Sequence, residues 1–443
     1  MGEQRLIGAE ERRARLATRH RLAVGARATA AEEVAASLVA LHGTDPATVF
    51  LAIGARLADG GPDPVADTER ALYGERTLVR MHGMRHTVFV VPSQLAAAVH
   101  SSSAEAAGVR ERARLVRQLA EGSDYDEAWL AETERLVLAE LTARGEATGV
   151  ELGAAVPRLR ATYVYGVGTR QEGPQTVGTR VLRILGMRGL IVRGRPQGGW
   201  TSNRFRWSPA PDAPETGTGA GTGIPVPVPP PAEARAELVR HWLAAYGPAT
   251  EADLKWWTGW TLTEVRRALS ALGAVWVTLG GALGGDGGTG AGAGRPAPGF
   301  VLPDDLDPVP SPAEPWAALL PALDPTAMGW QDRDWYLDPA HRPSLFDRSG
   351  NIGPTVWWNG RIVGGWAQRP DGEIAWRLLP GAGASAGGDG TGHEHDRDRG
   401  RERDRKALVR AVEAEAARLA GRLDAVRVTP RFRTPLEKEL SGG

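Results

Sequence analysis

The sequence predicts an α+β chain of tandem winged helix-turn-helix units followed by a C-terminal β-domain, and three observations predict it. Twice, over residues 124–207 and 233–279, a long amphipathic helix precedes a short helical segment, a second periodic helix and a β-rich stretch. Ahead of both, residues 29–91 carry two helix signals and then two strand-like runs. Beyond them, Val356-Trp-Trp-Asn-Gly-Arg-Ile-Val-Gly-Gly-Trp366 reads as a strand, a turn and a return strand, with Asn359-Gly360 suited to a type I′ hairpin. The expected domains are 1–110, an N-terminal winged unit; 120–212, a second; 213–232, a Gly/Pro linker; 233–303, a third winged unit with a Gly-rich wing insert; and 304–443, the β-domain with a low-complexity insert at 381–405 and a terminal helix.

In chain order, residues 10–22 are helical, and Thr29 followed by Glu32 forms a capping box for a helix with Val34, Leu38 and Leu41 on one side. Asp45 is a good N-cap and Pro46 a good first residue for a helix through Val49, Phe50, Ile53 and Leu57. His42, Gly43 and Thr44 are thereby left as a tight turn between two helices. Residues 77–91 read as two strands joined near His82-Gly83, a hairpin edged by Arg80, Arg85 and His86.

In the 124–207 copy, Trp129, Leu130, Thr133, Leu136, Val137 and Leu141 make a 3.6-residue stripe, Gly145 ends it, and residues 150–159 are a short element. Val177, Val181, Ile184 and Leu185 repeat the stripe up to a stop at Gly189. A strand through Arg193 and Arg195, a Gly-rich turn, and a return strand with Phe205 and Trp207 form the wing. The second copy places Leu238, Val239, Trp242, Leu243 and Tyr246 on its first helix and Leu262, Val265, Leu269 and Leu272 on its third, with a strand from Ala274. Winged units of this kind point to DNA, with docking of proteins as the other use of the scaffold.

Composition sets bounds. Net charge is zero, 53 basic against 53 acidic residues, so no global charge argues for nucleic acid. Residues 151–210 nevertheless hold ten arginines against Glu151 and Glu172, where a third helix and wing would meet phosphates. Zero cysteines exclude disulfides, thiol nucleophiles and Cys-ligated metal. No run approaches a membrane span and residues 1–15 lack an apolar leader core, so a cytoplasmic, nucleoid-associated protein without membrane contact is expected. No cofactor and no metal are expected: Asp324, Asp332, Asp334 and Asp338 lack metal-loop spacing, and His393 and His395 sit in a charged tract, 381–405, that reads as solvated disorder. Residues 216–231 read as a flexible-to-stiff spacer and 280–294 as an expanded wing tip. Trp256, Trp257 and Trp260 read as packing residues, as does Trp366.

The turn before Asp45-Pro46, the hairpin Arg80-Met-His-Gly-Met-Arg-His-Thr-Val-Phe, Arg342-Pro-Ser-Leu-Phe-Asp and the 356–366 hairpin together resemble the AlkZ/YcaQ-like DNA glycosylases, a winged-helix family associated with alkylation and crosslink repair. The resemblance implies that the C-terminal domain is β-barrel-like and that the chain is a monofunctional glycosylase acting, as a monomer, on alkylated purines (N7-alkylguanine or crosslink type) in double-stranded DNA. It implies a site at the turn, where family members carry Gln-X-Gln-Asp-Pro and this chain has His42-Gly43-Thr44-Asp45-Pro46. His42 then accepts the water's proton, Thr44 orients the water, and Asp45 is a possible auxiliary charge whose capping duty competes. DNA contacts are expected from Arg80, His82, Arg85, His86, Arg193, Arg195 and Arg361. A lyase is not expected, because the three lysines (Lys255, Lys406, Lys438) lie elsewhere. Substitution at both matching positions, where the family carries two glutamines or a glutamine and an aspartate, leaves two alternatives: a non-catalytic DNA-binding protein or regulator, and a purely structural turn in which a helix-terminal His42 meets Gly43 at C′.

Overall fold

The computed structural model describes residues 5–210, 227–280, 297–382 and 394–442. Helices and strands are mixed throughout, and the chain forms two compact units: Met1–Glu69 with Val239–Gly443, and Arg70–Leu238. The first is discontinuous, so the stretch 29–91 is divided between the two at Glu69/Arg70.

The discontinuous unit is organised around helix Pro46–Arg56, which begins as expected with Asp45 as N-cap and Pro46 at its first turn. At its far end Arg56 is fully buried and donates two hydrogen bonds to Asp324, at 2.7 and 2.9 Å. Its other donors reach the carbonyls of His20 (2.9 Å) and Ala52 (2.8 Å) and the Thr326 hydroxyl (2.8 Å), so every guanidinium N–H is used. That hydroxyl in turn faces His20 Nδ1 at 2.8 Å, while His20 Nε2 lies 3.2 Å from the Ala245 carbonyl. A carbonyl only accepts, so the buried ring is neutral with its proton on Nε2. Burial, and then the Arg56 charge, push the His20 pKa down to about 3. Tyr246 packs edge-on against this ring and Trp330 stacks on it.

Helix Ala31–Leu38 is shorter than expected. Glu33, not Glu32, holds Thr29, and Asp67 accepts the Ala31 N–H at 2.7 Å. Val39 stops the helix at φ 63°, ψ −48°, with the Ala40 N–H on the Leu38 carbonyl at 2.6 Å, a strained γ-turn for a β-branched residue. Leu41 consequently leaves the helix and joins His42 in a two-residue strand.

Helices Glu251–Thr258 and Leu262–Ala271 and the antiparallel strands Val275–Leu279 and Ala297–Val301 follow the predicted order, with Leu6–Ile7 added in parallel beside Val275–Leu279. The C-terminal sheet is an open antiparallel meander of Ala317–Leu320, Thr355–Trp358, Arg361–Gln368 and Ile374–Leu378, so among the described residues no barrel closes. Asn359 and Gly360 both have positive φ, 45° and 79°, in the two-residue turn expected there. Helices Glu394–Leu423 and Pro435–Ser441 pack on this sheet. Residues 394–405, expected to be disordered, are the first part of the long helix: their Arg and Glu are good helix formers, and Leu408, Val412 and Leu423 farther along are buried. His393, residues 216–226 and most of 280–294 lie outside the described residues. Trp257, Trp260 and Trp366 are buried as packing residues.

In the unit Arg70–Leu238, helix Glu127–Arg144 ends at Gly145 (φ 78°) and helix Val177–Met187 at Gly189 (φ 71°). Their stripes meet Leu115, Leu119, Ile191 and Trp207 in one core. Strands Ile191–Pro196 and Phe205–Pro209 pair antiparallel with a bulge between Arg193 and Pro196, and Ala147–Thr148 adds a third strand. A hairpin absent from the sequence reading, Thr162–Tyr165 with Gly173–Thr176, precedes helix Val177–Met187. The expected hairpin over 77–91 is formed by Leu78–His82 and Val88–Pro92.

Asp324→Ala leaves the Arg56 charge buried without its carboxylate and should destabilise by about 3–5 kcal/mol, read as a lower denaturant midpoint. For His20, the unfolded imidazole titrates near its ordinary value of about 6.5 and takes up a proton before the folded one does, so its contribution is complete above that pH and lost as the pH falls towards 3. The melting temperature should therefore drop between pH 7 and 5, and His20→Gln should flatten that drop.

Candidate functional site

The turn expected to carry chemistry is held from three sides within its own unit. Upstream, the Tyr246 hydroxyl donates to the Leu38 carbonyl at 3.0 Å, bracing the γ-turn that launches Leu41–His42. Downstream, Asp45 Oδ1 accepts the Ala47 N–H at 3.1 Å and Oδ2 accepts the Arg431 N–H at 2.9 Å. Along the helix, the Thr48 hydroxyl donates to the Ala322 carbonyl at 2.9 Å. The helix's last carbonyls are met by arginines of the long C-terminal helix: Arg418 donates to Ala55 at 3.0 Å and Arg422 to Gly54 and Leu57. Cations at a helix C-terminus are favoured by its dipole.

His42 is 8 % exposed and Thr44 half-buried. Because the preceding helix stops at Leu38, His42 does not cap a helix C-terminus, and the purely structural account of a helix-terminal histidine loses its basis. Asp45 has both carboxylate oxygens engaged by backbone N–H groups, which makes it the anchor of the turn. Arg431 was missed by sequence reasoning. It sits 386 positions away, and its guanidinium donates to the Thr44 carbonyl at 3.4 Å. Pro430-Arg-Phe-Arg is visible in the sequence, but no local pattern ties it to residue 45.

Arg361 lies apart, at the end of the Asn359-Gly360 hairpin, lining a concavity of its own with Arg13, Trp316, Asp338 and His341.

The remaining expected contacts belong to the other unit. Strand alternation turns Leu78, Arg80 and His82 to the inner face, where Arg80 is 4 % and His82 5 % exposed. The Arg80 guanidinium stands 4.9 Å from the Phe205 ring, and Arg193 stands 4.9 Å from Trp207. Arg80, His82 and Arg193 line one narrow crevice with His100 and Gly186. Burial, and then Arg193 and Arg183, lower the His82 pKa to about 3, so this histidine is uncharged at neutral pH and has no cation to offer a phosphate. Edge position in a hairpin suggested exposure for Arg80; the period of two reverses it. Arg85 and His86 form the half-buried tip, both at positive φ, and burial lowers the His86 pKa as well. Arg195 is exposed, its guanidinium 5.0 Å from the Tyr73 ring.

Against known families, the AlkZ-like model, described as DNA glycosylase AlkZ-like, matches residues 35–422. The chain belongs to the AlkZ-like DNA glycosylase family. No curated protein matches it. Among solved structures, Streptomyces sahachiroi DNA glycosylase AlkZ aligns with a TM-score of 0.64 at 20 % identity, covering 96 % of this chain and all of the other, so the fold is shared across nearly the full length. Among the described residues no helix is long and apolar enough to cross a membrane, and no cluster of His, Asp and Glu is arranged to hold a metal ion.

The two kinds of arginine in this glycosylase should separate experimentally. Arg80→Ala should lower the melting temperature, since it removes a buried side chain stacked on Phe205. Arg195→Ala should leave melting unchanged and reduce the slope of log affinity against log salt for duplex DNA by about 0.9, the value for one phosphate contact.

Proposed function

We propose that the enzyme is a monofunctional glycosylase that hydrolyses the N-glycosidic bond of alkylated purines, N7-alkylguanine or a crosslinked equivalent, in double-stranded DNA. It acts as a cytoplasmic monomer, with His42 and Thr44 at the reacting sugar. Family membership supplies the reaction class. The observation that supports the site is the anchoring of the turn: Asp45 is bound on both oxygens, which holds the backbone directly after His42, Gly43 and Thr44.

The chemistry suits these residue types. An N7-alkylated guanine already bears positive charge and departs without a strong general acid. What remains is to hold a water at the anomeric carbon and to stabilise an oxocarbenium-like sugar, which is a task of positioning and electrostatics. The His42 imidazole takes the water's proton, and the Thr44 hydroxyl orients it. Low exposure favours this, since polar groups act more strongly where bulk water is excluded. Asp45 serves as the anchor, and the N–H groups on its two oxygens compete with its auxiliary role beside the sugar.

The helix–helix–helix–hairpin orders at 127–209 and 231–301 are inferred to be winged-helix modules, with the helices and the wing arginine Arg195 meeting phosphates. Arg193, Arg85 and His86 at the hairpin tip, and Arg361 at its own hairpin, are the further proposed contacts. Arg80 and His82 support that surface from beneath.

Single-turnover release of N7-methylguanine from methylated duplex tests the assignment. His42→Ala should slow release by roughly 10²- to 10⁴-fold, the usual worth of a general base, while duplex affinity stays nearly unchanged. Equal release by variant and parent removes His42 from the reaction.

A further inference from the structure

Residues 427–433 bring three arginines past the end of the turn, and the structure uses them differently. Arg427 is bound to backbone, donating to the carbonyls of Pro370 (3.1 Å), Asp371 (2.9 Å), Asp424 (3.0 Å) and Val426 (3.3 Å). Arg433 is forked onto Glu437 at 2.8 and 3.1 Å. Arg431 is exposed, and among the described residues its guanidinium meets no carboxylate. It makes one long hydrogen bond, to the Thr44 carbonyl at 3.4 Å, and its Cζ stands 5.7 Å from the Phe432 ring.

The backbone that carries this cation is nevertheless fixed. Its own N–H is held by Asp45 Oδ2, the same carboxylate that caps helix Pro46–Arg56. An arginine so placed keeps most of its planar donor fork available beside Thr44, and that fork matches a phosphate bidentately. It also lies beyond the residues matched by the family model, 35–422.

We propose that Arg431 binds a backbone phosphate of the duplex at the nucleotide whose sugar meets His42 and Thr44. The proposal rests on reading that turn as the hydrolytic site. Arg431 acts there as a positioning residue: it sets the sugar against the turn and takes no part in proton transfer. One carboxylate then holds both the helix start and the backbone of the phosphate clamp, so the spacing between water and phosphate is set by Asp45.

The test uses the full chain with Arg431→Ala and Arg431→Lys. Affinity for undamaged duplex is measured over a salt series, alongside single-turnover release of N7-methylguanine and the melting temperature. Because the Asp45 bond uses the main-chain N–H, neither variant should melt lower. Arg431→Ala should weaken binding about tenfold at low salt, as for one charge-assisted hydrogen bond, and reduce the salt slope by about 0.9, while Arg431→Lys restores the slope. An unchanged slope in Arg431→Ala overturns the proposal, as does a loss of binding that tracks a fall in melting temperature and is not restored by lysine. A parent that releases no methylguanine sinks the hydrolytic reading and with it the assignment to the target nucleotide. Release by the parent with an unchanged slope in the variant sinks only the phosphate contact.

Discussion

The Arg56–Asp324 pair is the constraint on which the rest of the discontinuous unit depends. Two charges removed from water carry a large desolvation cost, which is offset only if every donor and acceptor around them is satisfied. Here the guanidinium is fully used, and Asp324 Oδ1 also accepts the Thr326 N–H at 2.9 Å. The pair joins the end of a helix near residue 56 to a loop near residue 324, segments with the whole of the other unit, Arg70–Leu238, between them in sequence. A network this complete tolerates one arrangement of its members, so helix Pro46–Arg56 has a fixed place, and the turn at its start inherits that place.

From the helix, rigidity passes to the turn through small, ordinary contacts. Thr48 holds one flank, Arg418 and Arg422 cover the last carbonyls, and Asp45 closes the first turn while gripping the backbone of residue 431. Tyr246 spans the other side, where Val39 adopts a conformation that a β-branched residue takes up only under external support. Strain of this kind, three residues before His42, is where a fixed and functional side chain would be expected.

Much of this was legible in the sequence, for reasons that are local. Asp45-Pro46 announces a helix start, Asn359-Gly360 a tight hairpin and Gly189 a helix stop, because each residue type answers a backbone need at its own position. The stripe through Leu130, Val137 and Leu141 is readable because a helix repeats every 3.6 residues. What escaped was non-local or counter to local habit. The early end of helix Ala31–Leu38 depends on Val39 accepting a strained angle. The inward turn of Arg80 depends on the aromatic ring at Phe205, which receives a buried cation. The charged stretch 394–405 is helical as the leading part of a helix whose later residues are buried. Arg431 meets the turn through a tertiary contact with no sequence signature, whereas Thr162-Tyr-Val-Tyr had the alternation of a strand and could have been found.

For the reaction, these contacts divide the work between groups that hold and groups that act. His42 and Thr44 carry the proposed chemistry, Asp45 fixes them, and the buried pair fixes Asp45's helix. The most direct test of that account is a structure of the protein bound to duplex DNA carrying a cationic abasic-site analogue of the transition state. The account predicts the analogue's sugar at the turn, with one water hydrogen-bonded to both the His42 imidazole and the Thr44 hydroxyl. A sugar seated elsewhere, with no water bridging those two side chains, would contradict it.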